Sequence, residues 1–168
     1  MLSQKINVLY LDDEEANLTS FKANFRREFN VFGVKTPDAA LAVLDNQLIH
    51  VAISDHKMPT ITGVQFFEKL SLTHPDIIRI LLTGYKDIDT VIEAINRGQV
   101  YKYFTKPMDP DEIKETINGA YQFYLANKST RETYRKLLDE NEQLEFMLRQ
   151  KLISWAKPKL PYNFTRDF

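Results

Sequence analysis

Five polar side chains follow short apolar runs and could together hold a cation and a phosphoryl group. They are Asp12, Asp13, Asp55, Thr83 and Lys106. If each run is a strand of a parallel sheet, the carboxyl ends of the strands meet at one rim, so these side chains would share a crevice. Three clustered carboxylates favour a bound cation or a proton. With no cysteine in the chain and no histidine pair, the ligands would be oxygens, which favours Mg²⁺.

The chemistry predicted by this set is phosphoryl transfer to a carboxylate. Asp55 is the best candidate nucleophile because it follows the predicted central strand and has the acidic pair beside it. Lys106 and the cation would neutralise phosphoryl oxygens, and Thr83 would donate a hydrogen bond to one of them. Singly, these residues have simpler explanations: Asp12 or Asp13 as a helix cap, Thr83 as a turn residue, Lys106 as a solvated lysine. Four strand ends that each supply the required residue type favour the joint interpretation.

Strand and helix periodicity alternate along the chain as far as Asn127. Near-continuous apolar strands are typical of a sheet covered on both faces, and short right-handed crossovers favour a doubly wound fold over an eight-unit barrel. We therefore expect an α/β, flavodoxin-like sandwich with a five-stranded parallel sheet of order 2-1-3-4-5. Helices are predicted over Glu15–Glu28, from Pro37 with Thr36 as N-cap, from Val64, over Ile88–Arg97 and after Pro110. Strands are predicted at Ile6–Leu11, Val31–Lys35, Val51–Ser54, Ile77–Leu82 and Tyr101–Thr105.

The last helix is predicted to extend well beyond its domain. Between Ile113 and Ile153 there is no proline, and the only glycine is Gly119. A seven-residue frame indicates a coiled coil in which Asn141 would fix the register and favour a pair of helices. The alternative is one amphipathic helix that folds back on its own domain. The frame aligns Tyr134, Leu137, Asn141, Leu144 and Leu148, with Lys151 interrupting it and Leu152 beside it.

Composition and length predict a soluble cytoplasmic protein. The 168 residues allow one domain, expected at 1–126, a helical extension at 127–154 and a tail at 155–168. The tail is a linker towards a missing domain or a segment that docks on a partner. With 22 basic and 23 acidic residues, nothing favours nucleic-acid or membrane attraction. The N-terminus lacks a secretory pattern, no apolar stretch is long enough to span a membrane, and the lack of cysteine fits the cytosol.

Four ordered motifs closely resemble the receiver domain of two-component response regulators. They are LYLDDEE (Leu9–Glu15), SDHKMPTITG (Ser54–Gly63), LLTGY (Leu81–Tyr85) and YFTKP (Tyr103–Pro107). The resemblance covers roughly Lys5–Asn127. It implies that Asp55 accepts phosphoryl from a sensor histidine kinase or phosphotransfer protein. It also implies that Asp13, Asp55 and the Lys57 carbonyl ligate Mg²⁺, for which Mn²⁺ could substitute, while Asp12 acts mainly through water.

The resemblance further implies a conformational switch. Thr83 would move towards the phosphate and Tyr103 would turn into the vacated space, although Tyr103 could simply be a half-buried strand aromatic. The surface formed by the helix predicted at Ile88–Arg97, the fifth strand and the last helix would then change. A cis peptide bond is implied at Lys106–Pro107. Lys57 and Tyr85 would flank the path of attacking water and tune the phosphoryl lifetime.

Two other functions compete with a phosphorylated receiver. One is a receiver-like scaffold that binds partners without phosphate, and the other is a hydrolase with an aspartyl intermediate. The second ranks last because Asp12 and Asp13 are adjacent, whereas the usual phosphatase signature separates two aspartates by one residue. The expected role is that of a regulatory phosphoacceptor rather than an enzyme, although it could catalyse its own phosphotransfer and dephosphorylation. His50, His56 and His74 lack ligand spacing, and His56 is expected to have a surface or packing role.

Overall fold

A five-stranded parallel sheet forms the centre of the protein, in a computed structural model that describes residues 5–84, 92 and 100–156. Its strand order is β2-β1-β3-β4-β5, which confirms the predicted flavodoxin-like fold. Of the helix predicted at Ile88–Arg97, only residue 92 belongs to the described residues, and it is helical. The strands are β1 (Ile6–Leu11), β2 (Phe29–Val34), β3 (Val51–Asp55), β4 (Ile78–Thr83) and β5 (Lys102–Thr105). The helices are α1 (Glu15–Phe25), α2 (Pro37–Asn46), α3 (Gly63–Thr73) and the C-terminal helix (Pro110–Ala156).

Helices cover the two faces of the sheet, so the strands are apolar on both sides. Side chains alternate between faces along each strand. On one face, Tyr10 and Ile53 pack in a cluster with residues of α1 and the C-terminal helix such as Phe21 and Ile117. The other face, including Leu9, Ala52 and Leu81, packs against α2 and α3. This double burial explains why the strands read as continuous apolar runs rather than as alternating ones.

Several element boundaries differ from the sequence prediction by a few residues, and at β2, β3 and β4 strand pairing extends the element. β2 begins at Phe29 rather than Val31, since the buried Phe29 pairs with Ile6. Asp55 and Thr83 are the last residues of their strands rather than the first loop residues, and Thr83 lies opposite Thr105 of β5. The C-terminal helix continues to Ala156. Two of the candidate site residues are therefore held by the sheet itself.

Side-chain caps fix where α2 and α3 begin. The Thr36 hydroxyl accepts a hydrogen bond from the Ala39 N–H at 3.2 Å, which confirms Thr36 as the N-cap of α2. At α3, Thr62 and Gln65 form a reciprocal capping box that satisfies two helix-end N–H groups. These caps anchor helices that follow the strands and pack on the sheet.

The chain divides into two compact units, with the division after Lys128. The C-terminal helix continues without a break through the polar segment Asn127–Thr133. In the second unit every residue from 129 to 156 is exposed. Among the residues that the structure describes, no helix is both long and apolar enough to cross a membrane.

Candidate functional site

The ammonium group of Lys106 joins two carboxylates at the rim of the sheet. Its Nζ lies 3.1 Å from Oδ2 of Asp12 and 2.9 Å from Oδ1 of Asp55. Asp12 follows β1 and Asp55 ends β3, so neighbouring parallel strands deliver them to the same place. The Lys106 N–H donates to the Thr83 carbonyl at 2.9 Å, which fixes the end of β5 against the end of β4. The structure thus brings together four of the five predicted residues by strand topology alone.

Asp12 is fully buried, and hydrogen bonds saturate its carboxylate. The Tyr10 hydroxyl donates to Oδ2 at 2.7 Å, the Glu14 N–H donates to Oδ1 at 2.9 Å, and the Asn17 amide reaches both oxygens. The bond from Glu14 shows that Asp12 also supports the start of α1, the simpler role weighed for it. Burial alone would raise the pKa of Asp12, but these bonds and Lys106 outweigh it and hold that pKa below its ordinary value.

Tyr10 and Asn17 are site residues that the sequence interpretation missed. Tyr10 lies two positions before Asp12, so both side chains are on the face covered by α1, and this period-two relation was the available signal. Asn17 lies in the first turn of α1, and nothing in its sequence spacing marked it. Burial, followed by the hydrogen bond to Asp12, raises the pKa of Tyr10 well above its usual range. Tyr10 therefore remains a neutral donor to Asp12.

Lys106 is charged at every ordinary pH despite its partial burial. Burial disfavours its ammonium form, but the hydrogen bond and charge of Asp55, followed by those of Asp12, raise its pKa above the usual value. Its side chain remains 31% exposed. The ammonium is therefore held by two carboxylates yet open to solvent and to an incoming anion.

Asp55 lies where its backbone is tightly enclosed. It is 8% exposed, and its carbonyl accepts a hydrogen bond from the Ser54 hydroxyl at 2.9 Å. A Cβ placed on Gly63 would collide with this same carbonyl oxygen and would come within 2.8 Å of Leu81. The Gly63 N–H donates to the His56 carbonyl at 2.9 Å, which closes the loop between β3 and α3. Gly63 thus allows α3 to start directly against the strand end that carries Asp55.

The carboxylate oxygens at the rim of the sheet are of the kind that a hard cation prefers. In this structure the Lys106 ammonium, rather than a metal ion, contacts Asp12 and Asp55. Across residues 5–84, 92 and 100–156, no group of three or more His, Cys, Asp or Glu side chains is arranged to hold a metal ion. Mg²⁺ needs only one or two carboxylates, with waters and a phosphate filling its remaining positions. Asp12 and Asp55 supply two carboxylates, and Asp13 is a half-buried third at the end of β1. The residues present therefore fit Mg²⁺, and Lys57 is exposed two positions after Asp55.

The proposed switch residues have contrasting environments. Thr83 is fully buried, and its hydroxyl donates to the Gly84 carbonyl at 3.3 Å. Tyr103 is 40% exposed on β5, opposite Leu81 of β4. The Lys106–Pro107 peptide bond is cis. Tyr85, the second residue proposed to tune the phosphoryl lifetime, lies outside the described residues.

A cavity of about 270 Å³ adjoins the crevice between α1 and the start of the C-terminal helix. Lys106 and Tyr10 reach its wall from the side of the acidic site, while Phe21 and Met108 make its floor apolar. Ser20 and Asn24 of α1 add polar groups.

His50 has a structural role at the end of β3 that is remote from Asp55. Nδ1 of His50 accepts a hydrogen bond from the Asn7 N–H at 3.0 Å. Its ring meets Tyr121 and Tyr124 of the C-terminal helix edge-on, with centroids 4.9 and 5.1 Å away. Burial, followed by the charge of Lys128, lowers the pKa of His50. His50 therefore packs as a neutral ring at the end of β3 opposite Asp55.

Comparison with known proteins identifies relatives of the first unit. A family model, the response regulator receiver domain, matches residues 8–118. The chain is 33% identical over 122 residues to the hydrogenase transcriptional regulatory protein HoxA of Cupriavidus necator, a match that covers 73% of this chain and 25% of HoxA. It thus spans about a quarter of the length of this relative.

Two solved structures are similar to the same part of the chain. One is described as an adenylate cyclase from Rhodopirellula baltica, with a TM-score of 0.74 and 30% identity over 79% of this chain and 99% of that one. The other is the beryllofluoride-activated NtrC4 receiver domain dimer, with a TM-score of 0.65 and 30% identity over 70% of this chain and 98% of that one. Both similarities agree with the match to the family model.

Proposed function

The chain belongs to the response regulator receiver domain family, and on that premise we propose that Asp55 accepts a phosphoryl group. The donor is the phosphohistidine of a sensor histidine kinase or phosphotransfer protein in the cytoplasm. The observation that carries the proposal is the shared ammonium of Lys106, which lies within 3.1 Å of both Asp12 and Asp55. A cation already placed beside the acceptor oxygen is suited to neutralise an incoming phosphoryl group.

In the proposed transfer, an oxygen of Asp55 attacks phosphorus while the phosphorus–nitrogen bond to the donor histidine breaks. The electron pair of that bond stays on the imidazole, and Asp55 becomes an acyl phosphate. Lys106 exchanges its contact with Asp55 for a contact with one phosphoryl oxygen. The Thr83 hydroxyl turns away from the Gly84 carbonyl and donates to a second phosphoryl oxygen. Mg²⁺, or Mn²⁺ in its place, would be held by Asp13, Asp55 and the Lys57 carbonyl, with Asp12 acting through water, and would neutralise phosphoryl charge.

Intact-mass measurement after incubation with Mg²⁺ and a small phosphodonor tests the acceptor. The wild type should gain about 80 Da, the mass of one phosphoryl group. Asp55→Asn should gain nothing, while Asp45→Asn, an exposed position of α2, should behave as the wild type. An unmodified wild type, or an adduct on Asp55→Asn, would contradict the assignment. The first result would favour the phosphate-independent scaffold.

The cavity between α1 and the C-terminal helix is proposed as part of the surface that meets the protein donor. Its wall includes Lys106, so a partner seated there would present its phosphohistidine to the crevice. Asn24→Arg should fill the cavity and slow transfer from a phosphorylated donor protein at least tenfold. Uptake from a small phosphodonor should be unchanged, because the crevice itself is intact. Equal slowing with both donors would show that the substitution impairs the transfer step at the crevice rather than docking of the donor protein.

The output is proposed to pass through the exposed Tyr103 surface of β5 and through the C-terminal helix. Phosphorylation can shift a conformational equilibrium only through contacts that differ between the two states, and Thr83 and Lys106 would supply them. HoxA is about four times as long as the matching segment, which supports an effector domain as a partner of the receiver unit. The exposed apolar side chains of the C-terminal helix support pairing with a second copy of the chain. In this proposal phosphorylation adjusts that pairing.

A further inference from the structure

The part of the C-terminal helix from 129 to 156 carries a seam of mostly apolar side chains that are exposed among the residues that the structure describes. We infer that this seam pairs with the same seam of a second copy in antiparallel orientation. The twofold axis crosses the pair of helices at the level of residue 146. The inference deepens the homodimer proposed above by specifying its orientation and register. All residues of the segment are exposed, including Leu137, Leu144, Leu148 and Trp155 at 53%, 53%, 61% and 85%.

The seam follows the heptad repeat and contains two polar positions. Its first set of positions, seven residues apart, holds Tyr134, Asn141, Leu148 and Trp155, and its second holds Leu137, Leu144 and Lys151. A helix of this length with few apolar contacts of its own gains most of its stability from packing against a partner. The orientation of the partner is decided by where Asn141 and Lys151 are placed.

Parallel pairing in register brings like charges together. Asn141 would meet Asn141 of the second copy, a tolerated pair. However, Lys151 would meet Lys151 of the second copy inside the seam. Glu140 and Glu145 lie beside the seam, at positions that meet across a parallel pair. Glu140 of each copy would therefore face Glu145 of the other copy, which gives two contacts between like charges. Like charges at such positions disfavour that arrangement.

Antiparallel pairing about Phe146 brings unlike groups together. Leu144 then packs on Leu148 of the second copy, and Leu137 packs on its Trp155. The remaining seam layer matches Asn141 with Lys151 of the second copy, so the ammonium reaches both an amide oxygen and the neighbouring Glu140. The acidic stretch Asp139–Glu145 faces the stretch that contains Arg149 and Lys151. Charge complementarity therefore favours the antiparallel arrangement.

The antiparallel register has one unfavourable contact, which the helix already mitigates. Near the twofold axis, Glu145 lies close to Glu145 of the second copy. Each Glu145 has its own partner, because Arg149 lies 3.8 Å away on the same helix. The parallel pair would contain two Glu140–Glu145 contacts and a pair of lysines. The antiparallel pair has instead one contact between like charges, which Arg149 partly neutralises.

A charge-swap cycle in the full chain distinguishes the two orientations. Glu140→Lys should weaken the antiparallel dimer at least tenfold, since it places a lysine beside Lys151 of the second copy. Lys151→Glu should do the same, and the double variant should restore the wild-type dissociation constant. In a parallel dimer, Glu140→Lys would instead tighten the pair by relieving its contact with Glu145. Sedimentation equilibrium gives these dissociation constants.

A distance measurement reads the orientation directly. The chain has no native cysteine, so Glu132→Cys provides a single site for a spin label outside the seam. Residue 132 is 14 residues from the axis, which separates the two labels by about 42 Å along an antiparallel pair at 1.5 Å per residue. A parallel pair would hold them about two helix diameters apart, roughly 20 Å.

Each outcome either supports or overturns the inference. A long label distance with restoration by the double swap supports it. A short distance, tighter binding by Glu140→Lys or a monomer at every concentration overturns it. Phosphoryl uptake by Asp55, measured by intact mass on the same samples, shows whether the proposed function fails as well.

Discussion

At the residue scale, one buried carboxylate organises the rim of the sheet. Asp12 accepts hydrogen bonds from three different residues and also contacts the Lys106 ammonium. Because Lys106 also contacts Asp55, the donors to Asp12 help to position the ammonium group beside Asp55, the proposed acceptor. We expect Tyr10 and Asn17 to act as positioning residues for Lys106.

The lowered pKa of Asp12 predicts an acid-sensitive contribution to stability. The folded pKa lies below the ordinary value of 3.8, so this contribution is present above about pH 4 and is lost as pH falls through the folded pKa. Tyr10→Phe removes a bond that lowers the pKa, so acid unfolding should begin at higher pH. The unfolding free energy at pH 7 should fall by about 1.5–3 kcal/mol, as for a hydrogen bond to a charged group.

Chemical denaturation across a pH series measures both effects of Tyr10→Phe. The control is Tyr134→Phe, because Tyr134 is 63% exposed on the C-terminal helix. If the unfolding free energies of Tyr10→Phe and wild type fell identically with pH in the acid range, the hydroxyl would not stabilise the ionised form of Asp12.

Strand-end reasoning predicted the acidic crevice from sequence but not the hydrogen bonds that support it. Asp12, Asp55, Thr83 and Lys106 could be predicted because parallel strands place their carboxyl ends along one rim. The hydrogen bond from Asn17 depends on how α1 packs above β1, and local spacing carries no information on that packing. The roles assigned to these residues in phosphoryl transfer stay predictions.

At the element scale, the close contact between α3 and β3 makes Gly63 hard to replace. Gly63→Ala would push a methyl group into the Asp55 carbonyl and Leu81. Overpacking of this kind costs about 1–3 kcal/mol, and the displaced strand end should also slow phosphoryl uptake. Gly119→Ala is the matched control, since its Cβ would make only ordinary contact with the Tyr101 hydroxyl at 3.5 Å. This control should stabilise the helix by up to about 1 kcal/mol.

Thermal or chemical unfolding of the two glycine variants tests that comparison. Equal stabilities for Gly63→Ala and wild type would show that α3 can withdraw from the strand end at little cost. The prediction depends on a backbone approach that the sequence does not reveal: a glycine after Thr62 fits an ordinary helix start equally well.

The contact between His50 and the C-terminal helix predicts a second pH dependence. The folded pKa of His50 is below its ordinary value of 6.5, so the unfolded chain binds the proton first. The stabilisation is therefore present above about pH 6.5 and is lost as pH falls through the folded pKa. Protonation would also put a hydrogen on Nδ1, where the Asn7 N–H already donates.

His50→Gln should flatten the dependence of stability on pH between about 7 and 5, because glutamine does not titrate there. Its side-chain carbonyl can still accept from Asn7. His74→Gln serves as the control, since the His74 ring contacts the exposed Thr73 hydroxyl at 2.9 Å rather than the C-terminal helix. Unfolding curves for wild type and His50→Gln that change identically with pH would contradict the prediction.

At the scale of the whole molecule, the two units differ in what stabilises them. The first unit has a core on each face of its sheet, whereas the described part of the second is a helix with every residue exposed. The lack of proline between Ile113 and Ile153 predicts an extended helix, and the helix is continuous through Asn127–Thr133. The domain boundary expected at 126 and the coiled coil stay predictions, because pairing depends on a second chain.

Leu148→Glu should break self-association while leaving the first unit stable. A charged residue in the seam has to be buried against a partner, so the dissociation constant should rise at least a hundredfold, about 2.7 kcal/mol. The matched control is Gln150→Glu, which adds the same charge on the opposite side of the helix. Sedimentation velocity measures association, and denaturation monitors the sheet. Equal weakening by both variants would show that net charge, rather than the seam, controls association.

The central position of β3 has a consequence for Asp55, the proposed acceptor, over repeated rounds of modification. β3 pairs with β1 on one side and β4 on the other, and all five of its residues are buried. Each N–H of β3 faces one of the two neighbouring strands and meets solvent only when that strand separates, so hydrogen–deuterium exchange should be close to the limit set by global unfolding. Asp55, the proposed acceptor, is thus held by a strand that is paired on both sides, so we expect its modification and release to proceed without local unfolding.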